Sequence, residues 1–466
     1  IFCFSTSIYI LAQILLYIRA ERSKESKIPK VTGSALAKAE PRESGGEFFV
    51  NNTLALIALI VLIAVIAIGF VLKKNVGLIA MLAAAVLGVA IGQDDSTTIA
   101  GFSASTFVML LGVSLLCTVA TGNGTLELMA KKFLRLSGGH VAVAPIIMYL
   151  IGFIIAAVGP GCVPALGIVA ALSLPLGRST GYNSVMLAAI GEIGSMAGRF
   201  SPITPESVLI RGLAEAQGIM GYETNTLIYA TITTIVLSVV IFLVFKGYKV
   251  KGAEGRVQEQ LSAFTQKQIF TLIGFVVMIL VCAIFKRNVG LVSLSVAVVL
   301  LLVNAADEKT TIKNVPWSTL LMVCGVGTLM SVVSTVGGVE LMSNALASIM
   351  TPNTAVAIQG LSAGILSWFS SAIGVVWPTM VPTVGAIAEQ VGVDPGSLIT
   401  IMCLTASFAG FSPASTGGSL ILAANATDPD FTKEKENKLF IQLFVLSALL
   451  LILTVLAGLL GLYSIL

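Results

Sequence analysis

Long apolar runs, separated by short polar stretches, fill most of the chain. In its first half they cover residues 53–72, 76–92, 103–130, 141–177, 183–212 and 225–246. A run of about 20 apolar residues is long enough to cross the hydrocarbon core of a membrane as a helix. Lipid offers the backbone no hydrogen bonds, which favours helices because they satisfy their own N–H and C=O groups. The pattern therefore predicts an all-α, polytopic membrane protein.

The second half of the chain repeats the first. The segment KKNVGLIAMLAAAVLG from Lys73 returns as KRNVGLVSLSVAVVLL from Lys286, an offset of 286 − 73, or 213 residues. DDSTTI from Asp94 and DEKTTI from Asp307 keep that offset. Chance would not hold one register over so long a stretch, so the halves are predicted to be structural repeats.

Each half also carries a related hydroxyl-rich motif near its end. RFSPIT in the first half aligns with GFSPAS in the second, with Ser201 opposite Ser412. The first 52 residues hold an apolar segment and a charged stretch, which we interpret either as a signal anchor or as a part outside the functional unit. The predicted organisation is this N-terminal segment (1–52), repeat 1 (53–246), a cytoplasmic linker (247–265) and repeat 2 (266–466).

One apolar segment in each repeat is predicted to turn back within the membrane. The segment 141–177 is too long for one crossing and has Gly159-Pro160-Gly161 near its middle, and its counterpart is 355–390. Read as re-entrant helical hairpins, these segments leave five crossings per repeat. An odd number of crossings inverts the second repeat, which is a common construction in secondary transporters.

Composition and charge narrow the function. Only 11% of the residues are charged, against about 25% in soluble domains, so a lipid bilayer is the expected surrounding. The net charge of +4 comes without a basic, aromatic-rich stripe, so no nucleic-acid partner is expected. There is one histidine, His140, and no nucleophile set or phosphate loop, which argues against an enzyme or a resident cofactor. Most Lys and Arg residues fall on one side of the predicted topology, which is therefore expected to be the cytoplasmic side. The predicted location is the plasma (inner) membrane, as a multi-pass protein.

Helix interruptions are the predicted binding site, because free N–H groups attract anions and free carbonyls attract cations. Two interruptions are hairpin tips, and two lie in the broken helices 183–212 and its counterpart in repeat 2. Proline in such a break also frees the carbonyl one turn back. The predicted substrate-binding residues are Gly159, Pro160, Gly161, Ser201 and Thr204 in repeat 1, and Gly374, Trp377, Ser412, Ser415 and Thr416 in repeat 2.

Three charged residues, Glu192, Arg199 and Glu206, lie within the first broken helix. Charged residues at membrane depth mark functional sites by default. Arg199 directly precedes the break and is predicted to bind a substrate carboxylate as a bidentate donor. The alternative is a structural ion pair between Arg199 and Glu192, which lie seven residues apart on one helical face. Glu192 is also the candidate proton carrier if the coupling ion is H⁺.

The segment LLGVSLLCTVATGNGTLELMAKK, Leu110–Lys132, resembles the N-terminal signature of MatC-type malonate/dicarboxylate carriers. The layout resembles the divalent-anion/Na⁺ symporters of the ion-transporter superfamily. This resemblance implies a homodimer that takes up a small dicarboxylate, such as malonate or succinate, by an elevator movement. It also implies coupling to Na⁺ rather than H⁺. The predicted Na⁺ ligands are Ser201, Thr204, Ser412 and Ser415.

The chain departs from that family at the hairpin tips. The symporters carry Ser-Asn-Thr at both tips, whereas this chain has GPGCVP and GVVWP, without a hydroxyl or amide. The hydroxyls of the two broken helices are expected to replace them.

The competing interpretation is a cation/proton antiporter of related architecture, with Glu192 as the exchanging acid. An antiporter would move ions without any organic acid, which separates the two. A channel or a membrane enzyme is the third possibility. Paired hairpins have no evident use in a channel, and an enzyme would need more intramembrane acids and histidines than this sequence offers.

Overall fold

The computed structural model describes residues 45–72, 74–135, 141–250, 262–285, 287–413, 415–426 and 431–464. These residues form helices, turns and loops without strands, which confirms the all-α prediction. Residues 1–44, Lys73, His140, Lys286 and most of the predicted linker lie outside the described part.

The described α-helices number ten in the first half and eleven in the second. In the first half they are α1 Gly45–Val71, α2 Val76–Ile91, α3 Asp95–Ala100, α4 Ala104–Gly122, α5 Thr125–Arg135, α6 Ala144–Ala157, α7 Cys162–Thr180, α8 Ser184–Gly198, α9 Pro205–Glu215 and α10 Glu223–Val244. In the second half they are α11 Gln266–Phe285, α12 Val289–Leu302, α13 Glu308–Asn314, α14 Trp317–Thr335, α15 Gly338–Ala347, α16 Ala355–Phe369, α17 Trp377–Met380, α18 Val384–Val391, α19 Pro395–Phe408, α20 Thr416–Asn425 and α21 Lys433–Leu459. Two short helices of the second half, α17 and α18, occupy the place that α7 has in the first.

Matched residues begin matched helices. The side chain of Asn75 accepts a hydrogen bond from an N–H at the start of α2, and Asn288 does so for α12. Asp94 caps α3 and Asp307 caps α13 in the same way. Such caps satisfy N–H groups that have no partner within the helix. The sequence repeat therefore reappears as a repeat of helix starts.

Seven helical segments within the described residues are long and apolar enough to cross a membrane. They are Asp95–Gly122, Cys162–Thr180, Glu223–Val244, Trp317–Thr335, Ala372–Val391, Pro395–Asn425 and Lys433–Leu459. Shorter apolar helices, among them α2, α6 and α12, accompany them. The protein is therefore polytopic, while five crossings per repeat and an inverted second repeat remain predictions.

The chain forms two compact units whose boundaries differ from those of the repeats. One unit holds the described residues up to Ser103 together with Gly325–Met342. The other holds Ala104–Cys324 and Ser343–Leu466. Each unit contains residues from both halves of the chain.

Close glycine contacts join the two halves inside each unit. In the larger unit, a Cβ on Gly112 of α4 would lie 2.0 Å from the carbonyl oxygen of Gly290 in α12. In the smaller unit, a Cβ on Gly325 would lie 2.1 Å from the carbonyl oxygen of Gly77 in α2. Glycine lets two helix backbones approach closely, as in many membrane helix pairs. The offset of 213 residues relates Gly112 to Gly325 and Gly77 to Gly290. The two glycine pairs are therefore equivalent contacts, each made between the first and the second half of the chain.

The first predicted hairpin and the first broken helix occur at the predicted residues. Helices α6 and α7 pack together and are joined by Val158–Gly161, where Gly159 and Gly161 adopt positive φ angles of 138° and 76°. Helices α8 and α9 are separated by Arg199–Thr204. In the second half, α19 ends in a 3₁₀ turn before Ser412, and α20 resumes at Thr416.

The second hairpin tip was misplaced. The predicted tip, Gly374–Pro378, lies inside wound backbone: a π-helical turn, Ala372–Val376, followed by α17. The extended residues after α16 are Ser370 and Ser371, so the interruption falls there. Proline is compatible with the first turn of a helix, which explains why Pro378 breaks nothing.

Candidate functional site

Arg199 lies at the end of α8, deep inside the larger unit. Every residue of α8 from Val185 to Gly198 is buried. Three glycines, Gly191, Gly194 and Gly198, let α8 pack directly on the backbone of α6, since a Cβ at Gly194 would lie 2.2 Å from the Tyr149 carbonyl oxygen. This packing holds the Arg199 side chain at 8% exposure.

The guanidinium of Arg199 has three neighbours. One nitrogen donates to the hydroxyl of Ser407 in α19 at 3.2 Å, and another pairs with the carboxylate of Glu206 at 3.4 Å. The guanidinium carbon lies 4.7 Å from the ring centre of Trp377, a cation–π distance. Arg199 therefore joins both broken helices and the second arm of the second hairpin. The alternative prediction, an ion pair with Glu192, is wrong.

Glu206 connects this arginine to the first hairpin tip. One of its carboxylate oxygens accepts the backbone N–H of Cys162, the first residue of α7, at 2.8 Å. The side chain of Glu206 is 4% exposed. The positive end of the α7 dipole and the Arg199 charge thus converge on one carboxylate.

Glu192 lies apart from this ion pair, next to the second break. It is fully buried, and neither carboxylate oxygen has a hydrogen-bond partner among the described residues. A Cβ on Gly417, at the start of α20, would lie 2.7 Å from one of these oxygens. A buried carboxyl group without a counter-charge is the setting in which membrane transporters bind protons.

A cavity of ≈ 310 Å³ adjoins the first hairpin tip. This is at the lower end of the range for small-molecule pockets, about 300–1,000 Å³. Pro160 and Pro164 of the hairpin, Thr118 of α4 and Ile373 of the second half line it, and Glu206 is the only charged residue among its described walls. Most of the remaining wall is apolar, with further hydroxyls from Ser114, Thr121 and Thr319.

The predicted hydroxyl ligands are placed differently from one another. Thr204 is buried and caps α9, and its hydroxyl donates to the carbonyl of Ser201 at 2.9 Å. Ser412 is buried and Ser415 is half-buried in the second break, whereas Thr416 is exposed. No contact among the described residues joins these hydroxyls into one cluster, so the Na⁺ site remains a prediction.

The structure brings some predicted residues together and adds others. Arg199 and Trp377 meet, and Gly161 meets them through Glu206. Gly374 packs against Met322. Two further residues of the site, Glu206 and Ser407, have no role predicted from the sequence. Their contacts with Arg199 depend on the geometry of the helix break, which the sequence pattern does not give.

Serines were also missed at the second hairpin. Ser371 caps the π-helical turn, accepting the N–H of Gly374 at 3.2 Å, and Ser370 donates to the carbonyl of Leu366 at 2.6 Å. The expectation that this tip lacks hydroxyls is therefore wrong. The available signal in the sequence was this pair of adjacent serines, which lie four and three residues before Gly374.

Paired helix interruptions, a buried arginine and a cavity beside one interruption, in an all-helical membrane fold, are features that secondary transporters share. Residues 52–199 match the family model for the N-terminus of the dicarboxylate carrier protein MatC. This match confirms the resemblance to MatC-type carriers that the sequence indicates. The comparison with curated proteins finds no match.

Two solved transporter structures share the fold. Neisseria gonorrhoeae MtrF, described as illuminating a class of antimetabolite efflux pumps, aligns over 97% of this chain and 94% of its own, with 12% identity and a TM-score of 0.54. The Alcanivorax borkumensis YdaH transporter, described as having an unusual topology, aligns over 97% of both chains, with 11% identity and a TM-score of 0.52. Together with the family match, this makes the protein a transporter rather than an enzyme.

Proposed function

We propose that the protein is a secondary active transporter that couples uptake of a small organic anion to a cation gradient. The substrate is a dicarboxylate such as malonate or succinate, and the coupling ion is Na⁺ rather than H⁺. The protein works as a homodimer in the plasma membrane by an elevator-type alternating-access movement.

One observation carries the anion assignment. Arg199 is buried at a helix break and lies beside the N-terminus of α7, so a fixed positive charge and a helix dipole act on the same point. Both features favour a carboxylate. The match to the MatC N-terminus supports a dicarboxylate among the possible anions. The hydroxyls at the two breaks support a hard cation such as Na⁺.

The test is uptake of radiolabelled malonate and succinate into proteoliposomes. An imposed Na⁺ gradient and an imposed H⁺ gradient are compared, each in both directions, because MtrF is described as an efflux pump. The proposal expects uptake with the Na⁺ gradient, and its loss in the double variant Ser201→Ala with Ser412→Ala. Folded protein that moves no C3–C6 dicarboxylate in any gradient would refute the substrate assignment.

A second candidate function rests on Glu192. Its buried, unpartnered carboxyl would suit a cation/proton antiporter in which Glu192 exchanges the proton. Such a protein would dissipate a pH gradient when Na⁺ or K⁺ is added without any organic acid. A fluorescent pH probe inside the same liposomes distinguishes this activity from symport.

A further inference from the structure

The N-terminus of α7 takes its cap from a distant side chain. Gly161 precedes α7 and has no side chain that could accept a hydrogen bond from the first N–H groups of the helix. Pro164, the third residue of α7, has no N–H. The acceptor comes instead from Glu206, whose carboxylate receives the Cys162 N–H at 2.8 Å. The same oxygen lies 3.4 Å from the Arg199 guanidinium. A single carboxylate thus uses both the backbone and the side-chain donor of this site.

The backbone at Gly161 leaves space for the Glu206 carboxylate. A Cβ on Gly161 would lie 2.3 Å from the second carboxylate oxygen, so only glycine leaves the space. That second oxygen is buried and has no hydrogen-bond partner among the described residues, and the Arg199 Nε is likewise unused. The site therefore retains one unused donor, the Nε–H of Arg199, and one unused acceptor, the second carboxylate oxygen of Glu206.

Glu206 also lies in the wall of the ≈ 310 Å³ cavity. An anion entering that cavity would meet a negative charge, and Glu206 already occupies the Cys162 N–H and one terminal nitrogen of Arg199. Removing Glu206 without replacement would leave Arg199 as an uncompensated buried charge, which is strongly unfavourable. A substrate carboxylate could replace it at little cost, because it would offer Arg199 and the Cys162 N–H the same group.

We propose that Glu206 is a tethered carboxylate that holds the place of one substrate carboxylate at the N-terminus of α7, and that the substrate binds by displacing it. This inference rests on the proposed anion transport and assigns the contact points of its substrate: the Arg199 guanidinium and the Cys162 N–H. It also explains how Arg199 stays neutralised when no substrate is bound.

The test is carboxylate rescue of the variant Glu206→Ala in detergent, followed by thermal unfolding. Formate and acetate, compared with chloride at equal ionic strength, are expected to raise the unfolding temperature of Glu206→Ala but not that of the wild type. The matched control is Glu223→Ala, which removes the acid of the more exposed ion pair with Arg211, at 3.1 Å. No carboxylate-specific rise is expected there. Equal responses of all three proteins, or no rescue of Glu206→Ala, would overturn the proposal.

A second variant covers the case in which Glu206→Ala does not fold. Glu206→Gln keeps the shape and can still accept the Cys162 N–H, but it no longer neutralises Arg199. Malonate is then expected to bind with a Kd about tenfold lower than in the wild type, equivalent to about 1.4 kcal/mol. An unchanged or higher Kd would mean that Glu206 is only a helix cap. Rescue by monocarboxylates requires no transport, so its failure is distinct from a failure of wild-type dicarboxylate uptake.

Discussion

The ion pair between Arg199 and Glu206 predicts a strong energetic coupling. The perturbation is a double-mutant cycle with Arg199→Met and Glu206→Gln, each similar in size to the residue it replaces. Arg199→Met leaves the Glu206 carboxylate buried without its counter-charge, and Glu206→Gln leaves the guanidinium in the same condition. The double variant removes both charges together.

The magnitude follows from burial. The two side chains are 8% and 4% exposed, so solvent screens them little. Breaking a buried pair by removing one partner costs about 3–5 kcal/mol, whereas replacing both partners is often close to neutral. Each single variant should therefore lose about 3–5 kcal/mol of unfolding free energy, and the double variant far less than the two losses together. The Arg211–Glu223 pair, with 28% and 22% exposure, should couple by only about 0–1 kcal/mol.

The assay is equilibrium unfolding of the full chain in mixed micelles, with increasing denaturing detergent. Arg211→Met and Glu223→Gln form the matched control cycle. Additive losses in the Arg199–Glu206 cycle, or single losses below about 1 kcal/mol, would refute the claim that this pair is buried and mutually dependent.

Three other changes have defined outcomes. Gly112→Leu should abolish folded protein, because even a Cβ would lie 2.0 Å from the Gly290 carbonyl oxygen. The control Gly122→Ala, with nothing within 4 Å of the added Cβ, should leave the yield unchanged in size-exclusion chromatography of a fluorescent fusion. Trp377→Leu should reduce malonate uptake more than Trp377→Phe, because only the aromatic ring can face the Arg199 guanidinium, and equal losses would contradict this role. Glu192→Gln should leave the unfolding temperature unchanged, because no described residue donates to its carboxylate, and a fall of several degrees would reveal a missed partner.

The helical elements could largely be predicted from the sequence. Apolar runs and a constant offset located helices in both halves, and the caps at Asn75 and Asn288 sit at matched positions. The first hairpin was found because Gly159-Pro160-Gly161 places three weak helix formers together. The second was misplaced because Ser370 and Ser371 extend the backbone, although serine is not a strong helix breaker.

The site was predictable as a region but not as a set of contacts. Arg199 was identified because a charge at membrane depth is rare, yet the ion pair with Glu192 that was offered as the alternative does not form. Glu192 and Glu206 both lie seven residues away, and in a continuous helix that separation is about 10.5 Å along the axis. The break at Arg199–Thr204 folds the chain so that Glu206 comes within reach, and Glu192 does not. Periodicity describes an unbroken helix and carries no information on the geometry of a break.

Counterflow of radiolabelled malonate in proteoliposomes is the decisive test of dicarboxylate transport through the Arg199 site. Counterflow needs only recognition and translocation of the substrate, so it does not depend on the identity or direction of the coupling ion. Vesicles loaded with unlabelled malonate should transiently accumulate the label, Arg199→Lys should abolish this accumulation, and the control Arg211→Lys should retain it. Folded wild-type protein that shows no counterflow with any C3–C6 dicarboxylate, or full counterflow in Arg199→Lys, would rule out dicarboxylate recognition by Arg199.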